Sequence, residues 1–146
     1  MSRRLVIIGG DAAGMSAASQ ARRMKSPGEL EIVVFERSTR TSYAACGLPY
    51  LVGGFVKSAD SLVARTPEQH RAKGIDVRTR HEVTAIDAKA STVTVRDLDT
   101  GREAVEHYDD LLIGTGASVI APQWPGIDLR LGTAVTGFTA VDPMKS

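Results

Sequence analysis

Apolar positions follow two rhythms along this chain. Leu5-Val6-Ile7-Ile8 and Ile32-Val33-Val34-Phe35 are unbroken apolar runs rich in β-branched residues, and such runs predict short strands buried on both faces. Leu111-Leu112-Ile113 is a third run of the same kind. From Ile75 the period becomes two: Ile75, Val77 and Thr79, then Val83, Ala85 and Ile86, then Val93 and Val95. A turn at Asp99-Thr100-Gly101 leads into a further strand from Arg102 to Tyr108. The two rhythms predict a three-layer α/β unit. Its parallel sheet comes from residues 4–8, 31–36 and 110–113, with an antiparallel β-meander inserted between about 77 and 108.

The polar and small residues between the runs predict the helices. An alanine-rich stretch from about Ala12 to Met24 reads as the first helix, stopped by Lys25-Ser26-Pro27-Gly28. Arg22, Arg23 and Lys25 then form either a solvated helix end or an anion-binding patch. Thr66-Pro67-Glu68-Gln69 is a capping signal with proline in the first turn, predicting a short helix to Lys73 closed by Gly74. Gly47 and Pro49 suit a tight bend that opens another short helix and puts Cys46 near its N-terminus. No element is predicted beyond Ala117.

The most informative stretch joins the first run to the first helix. In Ile8-Gly9-Gly10-Asp11-Ala12-Ala13-Gly14 a strand meets a helix through residues with little side-chain bulk, so backbone N–H groups can approach a pyrophosphate at the helix N-terminus. Gly9 suits the tight turn, and Gly14 lets helix and strand touch. The match to G-x-G-x-x-G is imperfect, because Asp11 holds the second glycine position, and a carboxylate there repels phosphate unless it turns away or is hydrogen-bonded. Glu36 ends the second strand, where such a unit places an acid on a ribose hydroxyl. Gly114-Thr115-Gly116 repeats the small-residue signal at the end of the third run.

Composition narrows the partners. The 146 residues are 42% apolar and 24% charged, ordinary for one globular domain, and a net charge of +1 leaves no electrostatic footprint for nucleic acid. Arg3-Arg4 precedes an apolar run too short for a signal peptide, and no segment approaches the roughly 20 apolar residues of a membrane span, so a soluble cytoplasmic protein is expected. Cys46 is the one cysteine, which excludes an internal disulfide. His70, His81 and His107 show no ligand spacing, and no metal is expected.

Taken in order, the glycine stretch through Arg22-Arg23, then Phe35-Glu36, then Ser42-Tyr43-Ala44-Ala45-Cys46-Gly47-Leu48-Pro49-Tyr50, then Ile113-Gly114-Thr115-Gly116-Ala117 resemble the N-terminal part of the flavin-dependent pyridine nucleotide-disulfide oxidoreductases. The branch they resemble most is the single-cysteine one, coenzyme A-disulfide reductases and NADH oxidases. The resemblance implies a Rossmann-like FAD/NAD(P)-binding fold. It places FAD with its pyrophosphate at Gly9, Gly10 and Gly14 and its ribose on Glu36, and puts Ala13, Arg37, Thr115, Gly116 and Ala117 along the same cofactor. NAD(P)H is the implied electron donor.

By the same resemblance Cys46 is the catalytic residue, forming a mixed disulfide with coenzyme A, while Ser16, Gln20, Arg23 and Ser42 fall where family members contact coenzyme A. Lys73 falls near another such position, one residue of spacing short. Ala45 departs from the asparagine often found before the cysteine, and Asp11 departs where small or apolar residues are usual. A thiolate is the nucleophile in this chemistry, and a helix N-terminus favours it.

The resemblance covers about residues 3–127, so a partial FAD-binding domain is expected over 1–127 and a divergent or truncated tail over 128–146. Family members are homodimers of several hundred residues. The expected function is therefore the flavin-binding part of an NAD(P)H-dependent thiol/disulfide oxidoreductase, incomplete as a single chain. An NADH oxidase cycling a cysteine sulfenate, and a flavin or nucleotide module without turnover, are the alternatives.

Overall fold

The structure is a computed structural model that describes residues 2–117; the tail 128–146 lies outside the described residues. One compact unit runs through Thr115, and a second begins at Gly116. In the first unit β1 (Arg3–Ile8) leads through α1 (Ala12–Met24) to β2 (Leu30–Glu36). Two short helices follow, α2 (Leu48–Val52) and α3 (Pro67–Arg71). Then come β3 (Asp76–Thr79), β4 (His81–Asp87), β5 (Thr92–Asp97), β6 (Glu103–His107) and β7 (Asp110–Ile113).

A four-stranded sheet has the order β3-β2-β1-β7, and its neighbours run parallel throughout. β1 is thus an inner strand covered on both faces, and Val6, Ile7 and Ile8 are all buried, which is why its sequence is a continuous run. Alternate residues still point to opposite sides. Ile7, Ile32, Val34 and Val77 pack with Met15 and Ala18 of α1, whereas Val6, Ile8, Val33 and Phe35 pack with Val93 and Val95 of β5. The antiparallel sheet β4-β5-β6 therefore lies against the face opposite α1, giving the three layers.

One boundary differs from the sequence expectation. Alternation at Ile75, Val77 and Thr79 placed this stretch at the start of the meander, but β3 pairs in parallel with β2, Val77 opposite Val34. Period two reports that neighbouring side chains face opposite sides, and an edge strand of a parallel sheet shares that property. The meander consists of β4, β5 and β6 alone.

α3 has the expected capping box: the Thr66 side chain accepts from the Gln69 N–H, and the Gln69 side chain accepts from the Thr66 N–H. α1 ends as Arg22 reaches the Leu30 carbonyl at 2.7 Å and the Lys25 carbonyl at 3.0 Å. Lys25 pairs with Glu29. Arg22 and Lys25 thus belong to the helix end; Arg23 has a different surrounding.

Candidate functional site

The carboxyl ends of β1, β2 and β7 lie side by side, where an α/β sheet presents its ligand crevice. Gly9 has φ +103°, and a Cβ on it would strike the Gly114 carbonyl oxygen. A Cβ on Gly14 would strike the Gly9 carbonyl oxygen. The glycine turn, the first turn of α1 and the end of β7 are therefore in backbone contact, and no other residue type fits at those two positions. Ala13 is exposed in the first turn of α1, whose N-cap, Asp11, makes no side-chain cap bond. The N-terminus of this 13-residue helix thus keeps donors available for an anion. This arrangement fits a dinucleotide pyrophosphate.

Glu36 and Asp11 use their charges on the backbone. Glu36 is buried at the end of β2, where its carboxylate accepts the Gly10 N–H at 2.6 Å and the Ser38 N–H at 2.7 Å. It braces the glycine turn, with lone pairs still available for a hydroxyl. Gly10 has no room for a Cβ because the Glu36 side chain lies 2.9 Å from where it would sit. Asp11 makes no cap bond to α1 and accepts the Tyr43 N–H at 2.7 Å, while the Ser42 N–H donates to the Gly10 carbonyl at 3.0 Å. Burial pushes the Asp11 carboxyl up and the Glu36 charge adds to it, against the pull of the Tyr43 N–H. The residue that broke the glycine pattern is the clamp that ties the glycine turn to the cysteine segment.

That segment is held from its other side too. Tyr43 bridges Val63, the Ala44 N–H donates to the Leu62 carbonyl and the Ala64 N–H to the Ser42 carbonyl. A Cβ on Gly47 would strike Leu62. Cys46 sits in a single 3-10 turn, Ala45–Gly47, immediately before α2, and is exposed.

Between α1 and this segment opens a cleft of about 380 Å³, walled among others by Ser16, Arg23, Ser42, Arg65 and His70. Three of the five residues expected at a substrate, Ser16, Arg23 and Ser42, thus share one cavity. Gln20 is outside the walls but accepts from Arg23 Nε at 3.1 Å, holding that guanidinium beside the cleft. Lys73 is exposed and is not a wall residue. The cleft reaches Ala44 and stops short of Cys46. Arg37 and Thr115 are exposed beyond the ends of β2 and β7, and Gly116, with φ +66°, and Ala117 begin the second unit.

Sequence reasoning missed Arg65 and His70. Arg65 is fixed through its carbonyl, which accepts from the Thr41 hydroxyl at 3.1 Å. His70 is 1% exposed, and its Nε2 lies 2.9 Å from Ser42 Oγ. Burial, then the charges of Arg65 and Lys73, hold its imidazole below the usual range, so it is neutral near pH 7. Its one signal in the sequence was a histidine at an inward-facing position of a five-residue helix.

The model of the pyridine nucleotide-disulphide oxidoreductases matches residues 3–145. The chain belongs to that family. The match runs on past Asp128. Over 116 residues the chain is 40% identical to coenzyme A disulfide reductase of Staphylococcus aureus, covering 79% of this chain and 26% of that protein. It is 36% identical over 127 residues to NADH oxidase of Methanocaldococcus jannaschii, covering 86% and 28%. The reduced CoADR-RHD structure of Bacillus anthracis superposes with a TM-score of 0.80 at 36% identity, over 86% of this chain and 22% of that one. The chain thus spans about a quarter of the length of the curated relatives it matches. Family membership supports FAD and NAD(P)H as cofactors, and the water-forming NADH oxidase of Lactobacillus brevis, solved bound to NADH, superposes with a TM-score of 0.80 at 34% identity, over 87% of this chain and 28% of that one.

Proposed function

We propose that this chain is the flavin-binding N-terminal part of an NAD(P)H-dependent oxidoreductase acting on thiol or disulfide substrates of the coenzyme A-disulfide type. The observation that carries the reading is the cleft. It gathers Ser16, Arg23 and Ser42 beside a cysteine segment that two hydrogen bonds fasten to the glycine turn. Bound FAD would pass two electrons between NAD(P)H and a disulfide. This chain's own residues would do the rest. Gly9, Gly14 and the first turn of α1 would hold the pyrophosphate, and Glu36 would keep the turn in shape and receive a ribose hydroxyl. Arg23, oriented by Gln20, would meet an anionic part of the substrate, and Cys46, exposed, would be the thiol that reacts. The reading carries with it a cytoplasmic setting and a homodimeric holoenzyme. Among the described residues no helix is long and apolar enough to cross a membrane.

The test is covalent. Incubated with coenzyme A disulfide, the Cys46 thiol should displace one coenzyme A as its thiol and retain the other as a mixed disulfide, a mass increase that Cys46→Ser abolishes. Modification no faster than that of a small free thiol would overturn the reading. Retained sulfenate after peroxide treatment without this exchange would instead favour the oxidase chemistry to which the 36% identity with an NADH oxidase points.

A further inference from the structure

Ser42 is held tightly in the wall of the cleft. Its backbone has φ +52°, a left-handed conformation that serine seldom adopts, and it is pinned at both ends. Its N–H donates to the Gly10 carbonyl at 3.0 Å, and its carbonyl accepts from the Ala64 N–H at 2.9 Å. Only the hydroxyl can still turn, and His70 Nε2 lies 2.9 Å from it. The other ring nitrogen of His70, Nδ1, is buried and has no partner among the described residues.

These facts decide the direction of the hydrogen bond. A neutral imidazole carries one proton. On Nδ1 that proton would be a buried donor without an acceptor, the rarer and costlier defect, and Nε2 would then consume the Ser42 proton. On Nε2 the proton is satisfied by Ser42 Oγ, and Nδ1 keeps only an unpaired lone pair. Burial and the charges of Arg65 and Lys73 keep the ring neutral near pH 7. With its oxygen engaged by His70, Ser42 can point its own proton only elsewhere, and the cleft is where the guanidinium-bearing residues Arg23 and Arg65 and the hydroxyl-bearing Ser16 and Ser19 also stand. Among the wall residues Asp11 is the one acid, and its carboxylate is already committed to the Tyr43 N–H.

We infer that His70 is a positioning residue whose Nε2–H fixes Ser42 as a hydrogen-bond donor, making the cleft selective for an acceptor-rich, anionic group such as a phosphate of the substrate. The inference rests on the cleft being the substrate site. It goes beyond that reading because it assigns a specificity role to a residue on α3, which contributes no other wall to the cleft.

The test uses the full chain and coenzyme A as the probe. In the free chain, nitrogen chemical shifts of labelled histidine should show His70 protonated at Nε2 and bare at Nδ1; the opposite tautomer overturns the inference whether or not coenzyme A binds. By calorimetric titration, His70→Phe, which keeps a ring of similar volume, should weaken coenzyme A about tenfold, as expected for one hydrogen bond to a charged group. Ser42→Ala should cost the same. The double variant should be no weaker than either single one, because the two residues act as one unit. His70→Gln, whose amide N–H can serve the same oxygen, should stay within about threefold of wild type. Should His70→Phe unfold the chain, the His70→Gln and Ser42→Ala pair still decides. Additive losses, or a His70→Gln as weak as Ser42→Ala, refute the positioning role. Nε2 protonation with no binding of coenzyme A by the wild type would refute the substrate reading and with it the proposed ligand.

Discussion

Two acids and a histidine show how single residues are put to use in this chain. Asp11 and Glu36 would both repel a phosphate if left free, and each is instead spent on backbone N–H groups, Tyr43 for one and Gly10 with Ser38 for the other. His70 has a measurable consequence in pH. Its folded-state pKa lies below the usual value, burial being the largest cause and Arg65 and Lys73 adding to it. Below about pH 6.5 the unfolded chain therefore takes up a proton that the folded chain refuses, and stability falls as pH is lowered, being flat above that point. Urea unfolding between pH 7.5 and about 5 should show this slope in the wild type and lose it in His70→Phe. An unchanged slope would mean that His70 titrates alike in both states. The depressed carboxyl of Glu106 acts in a lower window, and the raised carboxyl of Asp11 contributes a slope of opposite sign, so the effect is read as the difference between wild type and His70→Phe.

At the scale of elements, the glycine turn and the meander each hang on a few contacts. Gly14→Val would drive the start of α1 off β1, since even a Cβ meets the Gly9 carbonyl there. Flavin fluorescence titration should show loss of FAD binding in Gly14→Val, whereas Glu36→Ala should weaken it by about 1–3 kcal/mol, the range for a charged hydrogen bond. Equal affinity in Gly14→Val would remove the cradle. The meander is tied to the parallel sheet by Glu106 on β6, which accepts from Arg4 on β1 at 2.7 Å and from Arg78 on β3 at 2.6 Å. Burial alone would raise the Glu106 carboxyl, but the hydrogen bonds from Arg78 and Arg4 take it below the ordinary range. A carboxylate so depressed contributes stability above about pH 4.5 and loses it as pH falls through its folded value. Glu106→Gln should cost about 1–3 kcal/mol in urea unfolding at pH 7 and remove this part of the acid loss. A change under about 0.5 kcal/mol would mean the network is no stronger than an exposed ion pair.

For the 146 residues taken by themselves the expectation is binding without sustained turnover. Hydride delivery needs a nicotinamide held against the flavin, an orientation worth about 7–11 kcal/mol of barrier, and this chain corresponds to about a quarter of its curated relatives. The purified 146-residue chain should therefore take up flavin and react at Cys46 yet show no steady NAD(P)H oxidation dependent on Cys46 and a disulfide. Such turnover, followed at the nicotinamide absorbance, would mean that the 146 residues suffice to hold both cofactors.

Local signals along the chain determined the parallel runs, the bounds of α1, the capping box of α3 and the glycine turn, because each depends on burial periodicity or on backbone freedom, both written in neighbouring residues. The partner of β3 was not legible, since alternation reports which way side chains face and not which strand lies alongside. Nor was the task of Asp11, whose acceptor role depends on Tyr43, 32 positions away. Arg65 and His70 joined the cleft only when the chain folded α3 back against Ser42, because a side chain's hydrogen-bond partner is fixed by distance in space.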